Sequence, residues 1–169
     1  MNNANRAREV FRTEKRGRLG GALQAGKYKA HTKCPKCDLI FQNGVWKRGV
    51  LESSHEMHWK LCPACIQIRD KQIGGTIKCT GSFIENHRQE ILNRINNVAR
   101  QTSETHPLER LINTSENKNQ IVVSATTEHL IARIGKALER DFGGTLELRY
   151  APEDKYATAQ WHRDLEGER

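Results

Sequence analysis

Four cysteines form two close pairs, and each pair has the spacing of a metal-binding turn. Cys34-Pro-Lys-Cys37 and Cys62-Pro-Ala-Cys65 are separated by 24 residues. A two-residue spacer lets one tight turn direct both sulfurs at one ion, and Zn²⁺ takes four such ligands in a tetrahedron. One pair alone is a weak signal, whereas two pairs at this spacing are a strong one. The sequence therefore predicts one zinc ion on two neighbouring hairpins, held by Cys34, Cys37, Cys62 and Cys65.

A shell of four thiolates determines what this metal could do. It leaves no open position for water or substrate, so we expect the ion to stabilise the fold without taking part in catalysis. The competing chemistry is thiol redox, which would require one pair to begin a helix inside a thioredoxin-like βαβ unit. Neither pair is predicted in that context, and a switch that ejects zinc on oxidation is the remaining alternative. The sequence also shows no Gly-rich phosphate loop and no nucleophile with a base and an orienting group, so we expect no enzyme.

Three further residues near the pairs carry groups that can bind metals. Cys79 follows the second pair in a short predicted strand without a cysteine neighbour, which is typical of a small buried residue. His55 and His58 lie between the pairs and could replace a cysteine ligand. With four thiols already present, we expect both histidines on the surface or in support of the ligands.

The basic charge is concentrated at the beginning of the chain. The protein has 169 residues and a formal net charge of +8, and residues 1–33 contribute +7 through nine bases against two acids. A basic arm before a nearly neutral body is typical of a segment that binds a polyanion, because each paired base releases counterions from a phosphate. The alternative is a tail that only aids solubility. The predicted nucleic-acid-binding bases of this arm are Arg6, Arg8, Arg12, Lys15, Arg16, Arg18, Lys27, Lys29 and Lys33.

Aromatic residues lie among bases beside both cysteine pairs. Trp46, Lys47 and Arg48 follow the first pair, while Trp59 and Lys60 precede the second. Such aromatic rings can stack on unpaired bases while the cations hold phosphates. The alternative is that the tryptophans form the small core of the module. We expect a core position for Trp59, whereas both alternatives stay open for Trp46, which with Lys47 and Arg48 completes the predicted nucleic-acid surface.

Composition and periodicity define the domains that must position these residues. Only 36% of residues are hydrophobic and 28% are charged, which favours small units over a large enzyme. No stretch approaches the roughly 20 apolar residues of a membrane span, and the amino terminus lacks a signal-like apolar run, so we expect a cytoplasmic protein. We predict an α+β protein with a flexible basic arm (1–33), a zinc-ribbon-like β module (34–82), linking helices and a loop (83–118) and a β-α-β-β domain (119–169).

Local patterns predict the individual elements. In the module, strands are expected at residues 39–42 and 76–79, with a turn at Asn43-Gly44. Ser82 and Glu85 predict a capping box at the start of a helix over residues 83–101, followed by a short helix over 107–112 and a loop over 113–119. The last third predicts a strand over 120–125, a helix that begins after Thr126 or Thr127, and strands around residues 146–150 and 156–163. On the last strand Trp161 is either a contact residue or packs on the preceding helix.

The order of these parts resembles a known family. The segments CPxC and CPAC, IQIRDKQIGGTIKCTGSF, EILNRINNVA and IVVSATTEHLIARIGKALERDFGGTLELRY resemble the Nmd-three family of large ribosomal subunit export adaptors, and are closer to its short bacterial relatives. The likeness covers about residues 34–164. It implies a zinc-binding region that docks on the large subunit and ribosomal RNA, and of the site residues only the four cysteines transfer. This sequence has one four-cysteine site where archaeal and eukaryotic members have two, and it lacks their later domains, so we do not expect a role in export.

The sequence therefore predicts a non-enzymatic, zinc-stabilised RNA-binding accessory protein that associates with the ribosome, on its large subunit. Its partner would be ribosomal RNA or the large subunit, without a membrane or a small-molecule substrate. One rival function is that of a DNA-binding or transcription-associated zinc ribbon. The other rival is a protein-interaction module whose basic arm is incidental.

Overall fold

The computed structural model describes residues 28–50, 56–151, 153 and 155–165, which fold into two mixed β-sheets and three helices. The predicted α+β class is confirmed. None of the helices in these ranges is long and apolar enough to cross a membrane. The elements are β1 (Thr32–Lys33), β2 (Ile40–Gln42), β3 (Val45–Lys47), β4 (His58–Trp59), α1 (Pro63–Asp70), β5 (Gly75–Thr80), α2 (Phe83–Thr105), β6 (Leu111–Asn117), β7 (Gln120–Ala125), α3 (Glu128–Phe142), β8 (Thr145–Ala151) and β9 (Tyr156–His162).

The four-stranded sheet has the order β3-β2-β1-β4 and carries the first cysteine pair. β2 and β3 form a hairpin across the predicted turn at Asn43 and Gly44, both with positive φ, as a tight two-residue hairpin turn requires. Rings from Tyr28, Phe41 and Trp46 pack beside it, with centroids 4.9–5.5 Å apart. This small aromatic cluster, the cysteines, Leu39 and Ala64 form the core of this short sheet among the described residues.

The five-stranded sheet has the order β6-β7-β5-β9-β8 and has its own hydrophobic core; with α2 and α3 we refer to it as the larger domain. Its central strand β5 pairs antiparallel with β7 and parallel with β9. The prediction that the zinc module extends to residue 82 is therefore wrong, because this strand belongs to the larger domain. The linking segment predicted over 83–118 is wrong as well, since α2 packs on this sheet and β6 forms one of its edges.

The core of the larger domain lies between this sheet and two helices. Alternate strand residues such as Ile77, Ile121 and Ala159 are fully buried against the apolar rows of α2 and α3. Trp161 is also fully buried, and its indole N–H donates to the Gly143 carbonyl at 2.9 Å. Trp161 therefore packs on the helices and is not an exposed contact residue.

The helix starts show where a local sequence signal was enough to predict the capping hydrogen bond. Thr127 caps α3 as predicted, since its hydroxyl accepts a hydrogen bond from the Leu130 amide. The capping box at Ser82 is wrong, because the Ser82 hydroxyl instead accepts a hydrogen bond from the Leu165 amide. The carboxy-terminal segment thus occupies the hydroxyl group that was predicted to cap the helix. This distant contact could not be predicted from neighbouring residues.

The segment after α2 differs most from the prediction. The helix continues to Thr105, and the short helix predicted over 107–112 and the loop predicted over 113–119 are wrong, because Leu111–Asn117 forms strand β6. β6 is an edge strand whose side chains beyond its first two residues are exposed. An exposed edge strand does not need the alternating apolar pattern by which strands are predicted.

Candidate metal centre

The two cysteine pairs lie on different kinds of local structure. Cys34 and Cys37 occupy the turn between β1 and β2, where the Cys34 amide donates to the Leu39 carbonyl at 2.8 Å. Cys62 is the N-cap of α1, and its sulfur accepts a hydrogen bond from the Cys65 amide one turn later. The prediction of two hairpin turns is thus confirmed for the first pair and wrong for the second. A hairpin and a helix start bring the two pairs together.

The four sulfurs form one compact cluster. All four Sγ atoms lie within 4.8 Å of one another, and Cys37 and Cys62 are 3.6 Å apart. Four sulfurs at about 2.3 Å from a central zinc would lie about 3.8 Å from each other, so the spacing fits a single ion. Cys34, Cys62 and Cys65 are buried, whereas Cys37 is partly exposed. The four predicted cysteines therefore could hold a metal ion between the turn and the helix.

The thiols of Cys34, Cys62 and Cys65 differ in acidity. Burial raises the pKa of the Cys65 thiol to about 11 and raises the pKa of Cys62 further. Burial acts in the same direction on Cys34, but hydrogen bonds from backbone amides outweigh it and lower the pKa of that thiol to about 7. A metal binds the thiolate forms, so it must displace protons from Cys62 and Cys65. Metal affinity is therefore expected to fall as the pH falls.

One arginine of the larger domain reaches the cluster. The Arg110 guanidinium donates through Nη1 to the Cys65 sulfur at 3.7 Å and through Nε to the Pro107 carbonyl at 2.7 Å. Its backbone amide donates to the Thr126 hydroxyl at 2.9 Å. Arg110 could not be predicted from the sequence, because it lies 45 residues from Cys65 and no local motif marks it. A fixed cation beside a cluster of thiolates compensates part of their negative charge.

Replacing Arg110 with alanine should weaken metal binding by about 10- to 100-fold, the usual effect of removing a group that supports the ligands. The measurement is competition between the protein and a chelator of known zinc affinity. Arg110→Lys retains the charge but cannot reach both acceptors at once, so it should fall between the alanine variant and the parent. Arg69→Ala is the matched control, since Arg69 lies on α1 and pairs with Asp70. Equal affinities for Arg110→Ala and Arg69→Ala would contradict the role of Arg110.

The helix start at the second pair bears on the redox alternative. Cys62 and Cys65 do begin a helix, which is one of the two features that a thioredoxin-like dithiol requires. The second feature is not met, because β4 before the helix and β5 after it belong to different sheets. Two further sulfurs also lie within 4.8 Å of this pair. The arrangement is thus suited to sharing one ion among four sulfurs.

The other metal-binding residue types stay outside the cluster. His58 lies on β4 and is not part of the four-residue group, while His55 lies outside the described residues. Cys79 is fully buried on β5, as predicted for a small core residue, and burial raises the pKa of its thiol to about 12. This thiol is therefore protonated at neutral pH and unreactive.

The predicted basic arm is only partly within the described residues. Arg6, Arg8, Arg12, Lys15, Arg16, Arg18 and Lys27 lie outside them, and Lys29 is exposed. Lys33 belongs to β1 and forms an ion pair with Asp38 at 3.0 Å. Tyr28 also packs in the aromatic cluster of the module. The predicted boundary at residue 33 is therefore wrong, because the folded module begins no later than Tyr28.

The structure decides between the two alternatives for Trp46 and shows that the core position predicted for Trp59 is wrong. Trp46 is 8% exposed and packs on Phe41, so its ring is not available to stack on a base as predicted. Trp59, predicted in the core, is 58% exposed on edge strand β4, with the Lys33 ammonium 5.7 Å from its ring centre. The neighbours Lys47 and Arg48 are exposed, as a nucleic-acid surface requires. The flanking polar residues His58 and Lys60 were a signal for the exposed position of Trp59.

Comparison of the chain with models of protein families, with curated proteins and with solved structures finds no match. The resemblance to the Nmd-three family therefore stays a prediction. The function must be inferred from the cysteine cluster and the surface around it.

Proposed function

We propose that the four-cysteine cluster binds one structural zinc ion, and that the chain is a non-catalytic RNA-binding accessory protein of the large ribosomal subunit. The observation that carries the first part is the set of four sulfurs within 4.8 Å of one another. Soft thiolates in this number select zinc or iron, and zinc is the usual ion of small modules with two such pairs. One zinc per chain and no iron absorbance are the expected results of metal analysis.

The surface around Trp59 supports the proposal of RNA binding. An exposed indole can stack on an unpaired base. The Lys33 ammonium lies 5.7 Å from the indole centre but is paired with Asp38, so a phosphate bound beside the base requires another cation next to Trp59. Lys60 follows it directly, and Lys29 is exposed just before β1 in the sequence. Unpaired bases occur in the loops and bulges of folded RNA, and their recognition by stacking is typical of RNA-binding modules. Attachment to the large subunit is the expectation that the family resemblance adds.

Trp59→Ala should weaken binding of single-stranded RNA by about 5- to 150-fold, which corresponds to about 1–3 kcal/mol for one stacked base. Fluorescence anisotropy of a labelled oligonucleotide at fixed salt measures this change. Trp59→Phe retains an aromatic face and should recover most of the affinity. Tyr150→Ala is the matched control, because Tyr150 is an aromatic residue of similar exposure, 54%, on β8 of the other domain.

Intrinsic fluorescence gives a second measurement on the same variant. Of the three tryptophans, Trp46 and Trp161 are buried, so the fluorescence that acrylamide quenches comes mainly from Trp59. RNA should protect this fraction from acrylamide or quench it by stacking. Equal RNA affinities for Trp59→Ala and Tyr150→Ala, with unchanged acrylamide quenching in the bound state, would contradict a stacking role for Trp59.

Sedimentation of cell extract tests the ribosomal part of the proposal. The protein should migrate with large subunits in a sucrose gradient, and ribonuclease should release it. Selection of one duplex DNA sequence would support the transcription-associated alternative. Binding to a neutral protein partner without salt dependence would support the interaction-module alternative.

A further inference from the structure

Three arginines converge on a groove where the zinc module meets the larger domain. The groove has a volume of about 430 Å³ and is lined by Cys37, Arg48, Arg100, Ser103, Glu109 and Arg110, among others. Arg48 follows β3 of the module, Arg100 and Ser103 lie on α2, and Arg110 precedes β6. Residues that are far apart in the sequence thus place their positive charges around one groove.

Two of these arginines have no counter-charge within the part of the chain that the structure describes. Among the described residues, no ion pair or hydrogen bond occupies the guanidinium groups of Arg48 and Arg100, and both side chains are exposed. The one carboxylate among the lining residues, that of Glu109, is 8% exposed and accepts a hydrogen bond from the Arg133 Nη1 at 2.8 Å. Arg133 therefore compensates Glu109, and the charge facing the groove is positive.

A second groove of similar size shows the contrast. Its volume is about 450 Å³, and its lining contains two cations, Arg88 and Lys118. There Arg88 pairs with Glu116 at 3.5 Å and Lys118 with Glu85 at 3.9 Å, so both cations have acidic partners. Arg88 also donates to the carbonyls of Asn117 and Lys118. The unpaired state of Arg48 and Arg100 is thus a property of their own groove.

We propose that this groove between the zinc module and α2 binds a phosphodiester of the RNA backbone through Arg48 and Arg100, with Arg110 in the lining hydrogen-bonded to Cys65. This inference rests on the proposed RNA-binding function and places a phosphate site within it. Guanidinium groups bind phosphate oxygens through two parallel N–H donors. The Ser103 hydroxyl already donates to the Arg100 carbonyl, so the two guanidinium groups provide the binding. Arg110 lies beside the cysteines and compensates part of the negative charge of the thiolates, which would otherwise repel the phosphate.

The test compares two double variants of the full chain, each with two positive charges removed. Arg48→Ala with Arg100→Ala removes the groove cations, while Lys136→Ala with Arg149→Ala removes exposed cations that do not line the groove. Affinity for a labelled single-stranded RNA is measured across a range of salt. Each phosphate that the protein no longer binds should lower the slope of log affinity against log salt by about 0.7 in magnitude. The slope should therefore decrease by about 0.7 in the groove variant and by close to zero in the control, while the slope of Arg48→Lys with Arg100→Lys should stay close to that of the parent.

The outcomes separate this inference from the proposed function. If the parent binds RNA and the groove and control variants show the same slope as the parent, the groove is not a phosphate site, although RNA binding stands. If the parent itself binds no RNA, the proposed function fails and the groove assignment fails with it. Zinc content is measured for each variant. A slope that decreases in the alanine pair and is retained in the lysine pair, at one zinc per chain in both, supports the phosphate site.

Discussion

Replacing Cys62 with serine should abolish metal binding and unfold the four-stranded module, while the five-stranded domain keeps a cooperative unfolding transition. The module has a small core of aromatic rings, cysteines, Leu39 and Ala64, so a bound metal would supply much of its folding free energy. For structural zinc sites this contribution is about 10–16 kcal/mol of apparent binding free energy at neutral pH. Serine is itself a favoured N-cap residue, so the start of α1 is not the cause of the loss.

The two domains can be observed separately in this variant. The indole N–H resonance of Trp46 reports on the module, and that of Trp161 reports on the larger domain, whose core contains no residue of the cysteine cluster. The Trp46 signal should move to the position of an unfolded chain while the Trp161 signal stays. Cys79→Ala is the matched control, because it removes a buried cysteine outside the cluster and should retain one zinc per chain. A Cys62→Ser protein that keeps its zinc, or whose Trp46 signal is unchanged, would contradict a metal-dependent module.

Much of this architecture follows from signals that are local in the sequence. The two cysteine pairs predicted the cluster, because a short spacer restricts both sulfurs of a pair to one turn. The helix Glu128–Phe142 was predicted with its cap at Thr127, since an apolar row and a capping hydroxyl lie within a few residues. These features depend on contacts over three or four positions. Single-sequence patterns describe such contacts well.

What could not be predicted depends on contacts between distant segments. β5 lies between strands that begin 45 and 81 residues later, and its own apolar pattern does not say which sheet it joins. The burial of Trp46 arises from its position opposite Phe41 in the hairpin and beside Tyr28, whereas Trp59 lies on a two-residue edge strand. Arg110 approaches the cysteines only because the start of β6 lies beside α1. In each case the partner determines the role of the residue, and the partner is not marked in the sequence.

Removal of residues 1–27 is expected to have the second large effect, on RNA affinity. Seven of the nine predicted arm bases lie in this segment, together with two acids. If each base binds one phosphate of a single strand, the slope of log affinity against log salt falls in magnitude by at most about 5, at about 0.7 per phosphate. The electrostatic contribution to RNA affinity vanishes near about 1 M salt. A slope that is lower by about 5 therefore corresponds to a loss of affinity of at most about 10⁵-fold at 0.1 M salt. Glu9 and Glu14 should reduce the effect.

The structure determines where the deletion must end. A cut after residue 33 would remove Tyr28 and strand β1, so a loss of affinity could come from an unfolded module. A cut after Lys27 avoids this, and a second protein that keeps residues 1–27 with their seven bases and both acids changed to glutamine separates charge from length. Both proteins should show the same decrease in slope and weaken binding to unrelated RNAs by similar factors, because phosphate contacts carry no sequence information. Any preference for the large subunit should persist, since it would reside in the module and the groove beside it. A tail that only aids solubility predicts an unchanged slope in both proteins, and a lost subunit preference would contradict this division between arm and body.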